Sequence, residues 1–324
     1  MNPAFSVIFL TTLIGTGQGL FLALYTGESY ATVELLPRQE NDFYVVGSMI
    51  SLVFLIAGLI ASFFHLGHPE RAWRAATQWR TSWLSREVIV LPVVMGLIAL
   101  YGLSHHMNFG PELFGVRKDP HNLVTLLIGT LGVVATFGLF ICTGMIYGCI
   151  RFIQEWSTPL TVINYLLLGT ASGFVLASAY AAFNATELVR FYGGWAIIIT
   201  LTALITRTAS LIRNNRIKQR TTIQTAIGIR HQKITQRSQG FMGGSFNTRE
   251  FFHGKTQLFL RSIKWVFLVT VFVIPVVLLI PGMKGDAGLL LTAFVIQFIG
   301  LIAERWFFFA QANHPQNLYY QTVG

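Results

Sequence analysis

Long apolar runs, separated by polar stretches, dominate the chain. They predict eight helices, at Phe5–Tyr25, Tyr44–Phe64, Glu87–Leu103, Leu123–Ile150, Leu160–Phe183, Gly193–Ile212, Trp265–Ile280 and Leu289–Phe309. A run of about eighteen residues or more crosses roughly 30 Å of hydrocarbon as a helix. The seventh run is the shortest, and Pro275 inside it with Pro281 at its end predicts a kink. None of the runs alternates with period two, which sets aside a β-barrel. The predicted fold class is all-α: one integral membrane domain over residues 1–324, a bundle of eight transmembrane helices. A long connection, residues 213–264, lies within it. The first run is read as a span rather than a cleaved leader, because Met1–Phe5 lacks a basic segment and the run continues to spanning length.

Composition agrees with the pattern. The chain is 53% hydrophobic and only 11% charged, with a mean hydropathy of +0.58. A soluble domain carries roughly twice that charged fraction. The net charge of +10 is distributed unevenly. Counting Arg305 beside the C-terminus, the even connections and the C-terminal end hold eighteen Lys and Arg, and the odd connections hold five. Twelve of the eighteen run from Arg207 to Lys264. The first connection is acidic, with Glu28, Glu34, Glu40 and Asp42 against Arg38. This asymmetry predicts that both termini and the even connections are cytoplasmic. It accounts for the basic charge without a nucleic-acid partner, because cations beside spans solvate the lipid interface or dock proteins. Within the sixth connection, Ile212–Arg237 is expected to extend the sixth helix. Gly240–Thr256 carries Phe241, Phe246, Phe251 and Phe252, which are expected to be covered by the bundle or by another protein of the same assembly.

The densest polar chemistry lies in the second connection, Ser62–Glu87, between two predicted spans. His65 closes one span and Glu87 opens the next, so both are expected at similar depth. A quinone has an apolar tail suited to lipid and two ring oxygens that need hydrogen bonds. Its reduction takes up two protons. An imidazole can bond a ring oxygen and titrates near neutrality. A carboxylate in the first turn of a helix can pass protons to or from water. Glu87 also fits a helix-terminus role, with Ser85 as the expected cap. Arg71, Arg74 and Arg86 are placed to hold that carboxylate or dock an acidic partner. Trp73, Trp79 and Trp83 also fit an interfacial belt. Tyr147, one turn before Arg151, is expected at the depth of a ring oxygen, or as a belt tyrosine. Gln18 lies roughly 20 Å into the first span and is a weaker candidate.

Other chemistries fit less well. The eight His fall at span ends or in connections, not facing one another mid-bundle, so no haem is expected. Cys142 and Cys149 share one run and fit small buried hydrophobes; without a four-Cys set this chain is expected to hold no iron–sulfur cluster or structural zinc. An ion-coupled transporter would want ionisable groups at mid-span. Only Gln18, Asn164, Gln297 and Asn184 fall there, with Glu304 keeping that alternative open.

The segments HLGHPERA, beginning at His65, and SWLSRE, Ser82–Glu87, resemble the membrane-anchor subunit of the dimethyl sulfoxide reductase family of molybdoenzymes. Length and span number agree over nearly the whole chain. The resemblance implies a bacterial inner-membrane complex of three subunits. A molybdopterin subunit does the substrate chemistry, and electrons pass through a four-cluster iron–sulfur subunit. The anchor exchanges those electrons with quinone and has no redox centre of its own. The resemblance associates His65 and Glu87 with the quinone. Ser82, Trp83, Tyr147, Arg71 and Gln18 are then expected around it, with Arg74, Arg80, Arg86 and Arg151 toward the partner. The segment GFMGGSFNTREFFHG resembles more closely the anchors of cytoplasmic, quinone-linked sulfite dehydrogenases. That implies electrons passing from sulfite to ubiquinone or menaquinone. The alternative is an anchor of a dimethyl sulfoxide reductase, or of a reductase for another sulfur, selenium or arsenic oxyanion, that oxidises menaquinol.

Overall fold

In hydrocarbon every backbone polar group must be satisfied within the segment, so each apolar run closes its own hydrogen bonds as a helix. A computed structural model describes residues 1–107, 123–238 and 250–320. It contains eight helices long and apolar enough to span a membrane among those residues. They are α1 Phe5–Thr32, α2 Asn41–Phe63, α3 Trp83–His106, α4 Leu123–Gly148, α5 Pro159–Asn184, α6 Val189–Asn215, α7 Gln257–Gly282 and α8 Ala287–Ala310. Arg117, Lys118, His121, Phe241 and Phe246, used in the sequence argument, lie outside the described residues.

The seventh span differs most from its prediction. It begins eight residues earlier and reaches 26 residues, so it is not the short one. Its first turns carry Arg261 and Lys264, which lower the hydropathy there. The helix is interrupted by a π-helical stretch, Val269–Val273, just before Pro275. Pro275 has no N–H and crowds the carbonyl one turn back, and the wider turn absorbs both effects. The sixth connection also differs. The sixth helix stops at Asn215 instead of running on, and up to residue 238 one further turn, Ile223–Ile227, forms behind a Thr222 capping box. Phe251 is buried and stacks on His314 with centroids 3.9 Å apart. In its described part, then, the aromatic loop folds back on the chain.

The bundle is built around α1 and α5, the most buried spans. They approach through glycines: a Cβ on Gly173 would overlap the carbonyl carbon of Gly19 and the nitrogen of Leu20. Small residues are what let two helix backbones touch in lipid. Gly173→Ala is therefore expected to force the helices apart, at about 1–3 kcal/mol. Gly138→Ala meets nothing within 4 Å and should stay within about 0.5 kcal/mol of wild type. Thermal aggregation midpoints of the two variants in detergent check this; equal midpoints would refute the close-contact argument.

Around this pair, α2, α4 and α8 pack on α1, and α6, α4 and α8 pack on α5, while α3 lies against α4 and α2. The connection between α2 and α3 is a 3₁₀ helix, Pro69–Gln78, that stays at the surface. One end of the bundle, the basic end, gathers this Arg-rich connection, the α4–α5 turn, the N-terminus and the segment after α8. Met1 is held there, its amine donating to the Ala310 and Ala312 carbonyls at 3.3 and 2.9 Å.

Candidate functional site

The second turn of α3 turns Glu87 into the bundle, so the acid expected to open this helix lies one turn inside it. Ser82, not Ser85, caps that helix: its hydroxyl accepts from the Ser85 amide at 3.3 Å. Ser85 is buried within the helix. One helical turn on from Trp83, Glu87 faces α4 and is only 9% exposed. Thr143 donates its hydroxyl to the Glu87 carboxylate.

Glu87 and Thr143 line a small cavity at the basic end, closed by α1, α5 and α8. Gln18 reaches it from α1, with its amide donating to the Thr136 carbonyl at 3.3 Å. Tyr165 and Ser172 line it from α5, and Arg305 from α8. The free space is about 20 Å³, which accommodates a water molecule but not a ring. Gly15 and Gly169 in the wall keep part of it bare of side chains.

Behind Arg305 sits a charge network that the sequence pattern does not announce. Arg207 and Arg305 count among the flanking cations in the sequence, but both are buried, on α6 and α8. Glu304 is 1% exposed; its carboxylate meets Arg207 Nε at 2.7 Å and Arg305 Nε at 3.5 Å. The Arg305 guanidinium also lies 3.8 Å over the Tyr165 ring. Buried charges persist only when paired, and here two arginines share one carboxylate. Removing both from the topology count leaves sixteen cations against five, so the asymmetry stands.

The other expected residues are distributed differently. His65 sits in the exposed turn after α2 and does not line the cavity. Among the described residues, no hydrogen bond or ion pair joins it to Glu87. Partial shielding lowers the His65 pKa below the usual imidazole value. Arg71 is exposed and lies 3.6 Å from Glu70, which also takes His68 at 3.0 Å. Arg74 and Arg80 are exposed over Trp73 and Trp79. Arg86 is tied down: it lies 4.2 Å over the Trp83 ring and donates to the carbonyls of Trp79 and Arg80. Arg151 is exposed. Tyr147 does not line the cavity; its ring packs among Trp156, Tyr165, Phe308 and Phe309. Cys142 is buried but Cys149 is exposed, so only the first fits the small-core reading.

At the opposite end a second polar cluster corrects the reading of Glu28. Expected in the first connection, it lies inside α1 and is 9% exposed. It accepts from Tyr101 at 2.6 Å and Thr125 at 2.7 Å, with His105 Nε2 at 3.4 Å. These contacts tie α1, α3 and α4 together.

Thr143, Tyr165, Ser172 and Arg305 are site residues that the sequence argument misses. Thr143 carries one usable signal, since it lies one turn before Tyr147. Arg305 carries another, as an ionisable residue next to a second one in an apolar span.

An eight-span helical bundle with a buried acid beneath an Arg-rich connection defines a polytopic membrane protein with a polar site at one end. The chain belongs to the DMSO reductase anchor subunit (DmsC) family, whose model matches residues 1–320. It is 58% identical over 324 residues to the C subunit of the sulfite dehydrogenase of Allochromatium vinosum, covering 100% of both chains. The chain is thus a multi-pass membrane anchor subunit.

Proposed function

We propose that this chain is the quinone-reactive anchor of a three-subunit complex that oxidises sulfite. A molybdopterin subunit would convert sulfite and water to sulfate, releasing two electrons and two protons. A four-cluster iron–sulfur subunit would pass the electrons to the basic end of the anchor. There quinone takes two electrons and two protons and leaves as quinol. The identity to a sulfite dehydrogenase anchor supports the substrate. The cation asymmetry supports placing the basic end, both termini and the catalytic partners on the cytoplasmic side of the inner membrane.

The observation that carries the quinone reading is Glu87. A carboxyl group buried at the membrane edge, held by Thr143 and facing Gln18 and Arg305 across a cavity, is costly unless used. In this reading the tail enters from lipid and the cavity lining parts to admit the ring. Glu87 relays protons inward, and His65, in the exposed turn after α2, bonds a ring oxygen as the quinone enters. Arg71, Ser82, Trp83 and Tyr147 shape the approach. Exposed Arg74, Arg80 and Arg151 meet the iron–sulfur subunit, while Arg86 holds the connection in shape.

The test is His65→Ala. The complex should assemble and still oxidise sulfite with a soluble dye acceptor, while quinone-linked turnover falls about 10²-fold or more. Unchanged quinone-linked turnover removes His65 from the site. Absence of any sulfite-dependent dye reduction in the wild-type complex removes the substrate assignment.

A further inference from the structure

A second, larger pocket lies at the basic end, away from Glu87. It opens between the ends of α6, α7 and α8 and has a volume of about 370 Å³. Its α7 wall presents Gln257, Arg261 and Lys264, spaced four and three residues apart and therefore on one helix face. Neither Arg261 nor Lys264 makes a salt bridge among the described residues. From α6 and the segment after α8, the side-chain nitrogens of Asn214 and Gln311 are buried without an acceptor. Buried donors without partners point to a ligand or ion that completes them.

One further group points the other way. Glu155 lines the same pocket and is 5% exposed. Its Oε1 accepts from Gln219 at 3.2 Å and Asn313 at 3.0 Å, but Oε2 has no donor. The Met1 amine donates to the Ala310 and Ala312 carbonyls, and its charge acts on Glu155 without donating to Oε2. The pocket therefore asks for an anion beside the cations and amides, and a cation donor beside Glu155.

Its depth and walls indicate where such a ligand comes from. Leu211, Leu260 and Phe307 make the apolar part of the lining. On the outer side of the same α7 segment, Leu258, Phe259 and Trp265 are exposed as lipid-facing groups at a membrane edge are. Basic pockets between spans at this level bind the phosphates of anionic lipid head groups, and a buried carboxylate beside the cations adds a place for an ammonium. We propose that this pocket binds the head group of a zwitterionic phospholipid of the phosphoethanolamine type. Its phosphate lies between Arg261, Lys264 and the Asn214 and Gln311 amides, and its ammonium donates to Glu155.

The complex, solubilised gently with its accompanying subunits, is examined by native mass spectrometry. Dioleoyl phosphatidylethanolamine, dioleoyl phosphatidylglycerol, glycerophosphoethanolamine and inorganic phosphate serve as probes. One phosphatidylethanolamine should be retained in preference to phosphatidylglycerol. Arg261→Gln with Lys264→Gln should weaken retention by about thirtyfold, from about fivefold per interfacial cation. Glu155→Gln should leave phosphatidylglycerol binding unchanged and remove the preference. Three outcomes overturn the proposal. Lipid retention insensitive to the double variant is one. Inorganic phosphate competing as well as the lipid marks a plain anion site. Loss of accompanying subunits from the double variant with lipid retained marks a protein-docking surface.

Discussion

Glu87→Gln is expected to lower quinone-linked turnover by about 10²–10³-fold without dissociating the complex. The substitution keeps the volume of the side chain, and the amide oxygen still accepts from Thr143. The packing at the start of α3 therefore survives. What is lost is the only carboxyl group, among the described residues, that lines the cavity. A positioned acid or base contributes roughly 10²–10⁴-fold to a proton-coupled step. In the proposed complex the loss should appear with quinone as acceptor and be absent with a soluble dye, which takes its electrons from the accompanying subunits without the proton step at Glu87. Gln18 and Arg305 remain to bind the ring, so the Michaelis constant for quinone should move less than the maximal rate. Quinone-linked turnover within twofold of wild type would show that Glu87 does not handle the proton.

Glu304→Gln is expected to give the largest loss of stability of any single polar substitution in the bundle, about 3–5 kcal/mol. Removing one partner of a buried ion pair leaves an uncompensated charge, and that cost reaches this range. Here it leaves two, since Arg207 and Arg305 both lean on the same carboxylate. Arg207 is 1% exposed and, among the described residues, has no other acidic partner to turn to. Arg305 keeps the Tyr165 ring but loses its counter-charge beside the cavity. The double variant Arg207→Met with Glu304→Gln should be milder, because one of the stranded charges is removed with its partner. Thermal midpoints of the assembled complex, compared across the single and double variants, decide it. A single variant as stable as wild type would mean the network is hydrated rather than buried.

The span pattern can be read from the chain because it rests on a local requirement. About twenty apolar residues are needed wherever a helix crosses hydrocarbon, and a polar backbone cannot cross any other way. Errors fall where amphipathic turns continue a helix past its apolar run. The first turns of α7 look like loop because Arg261 and Lys264 snorkel to the edge. Glu28 looks like loop because an acid after Tyr25 resembles the end of a span. In the fold it is inside α1, its burial offset by Tyr101, Thr125 and His105 from two other helices.

The site is legible only in part. Gln18 and Glu87 can be named from the chain because each is a polar residue where lipid would penalise it. Their meeting across one cavity cannot be read, since Gln18 is on α1 and Glu87 on α3. The expected pairing of His65 with Glu87 comes from their sharing one connection. No contact joins the two among the described residues: His65 lies in the exposed turn after α2, while Glu87, in the second turn of α3, is buried against Thr143 of α4.

By itself, then, the sequence determined eight spanning helices, the basic and acidic ends, and the family resemblance carried by HLGHPERA and SWLSRE. These depend on composition over windows of the chain, which no neighbour can change. The tertiary structure decided which polar groups are partners. Close contact of α1 with α5 through Gly19 and Gly173 fixes the rotation of both helices. The packing of α3, α4, α6 and α8 around that pair brings Thr143, Tyr165 and Arg305 into one cavity with Glu87 and shuts Glu304 between two arginines. The physical reason is that helix rotation in lipid is set by side-chain packing between distant segments, which no local stretch of sequence encodes.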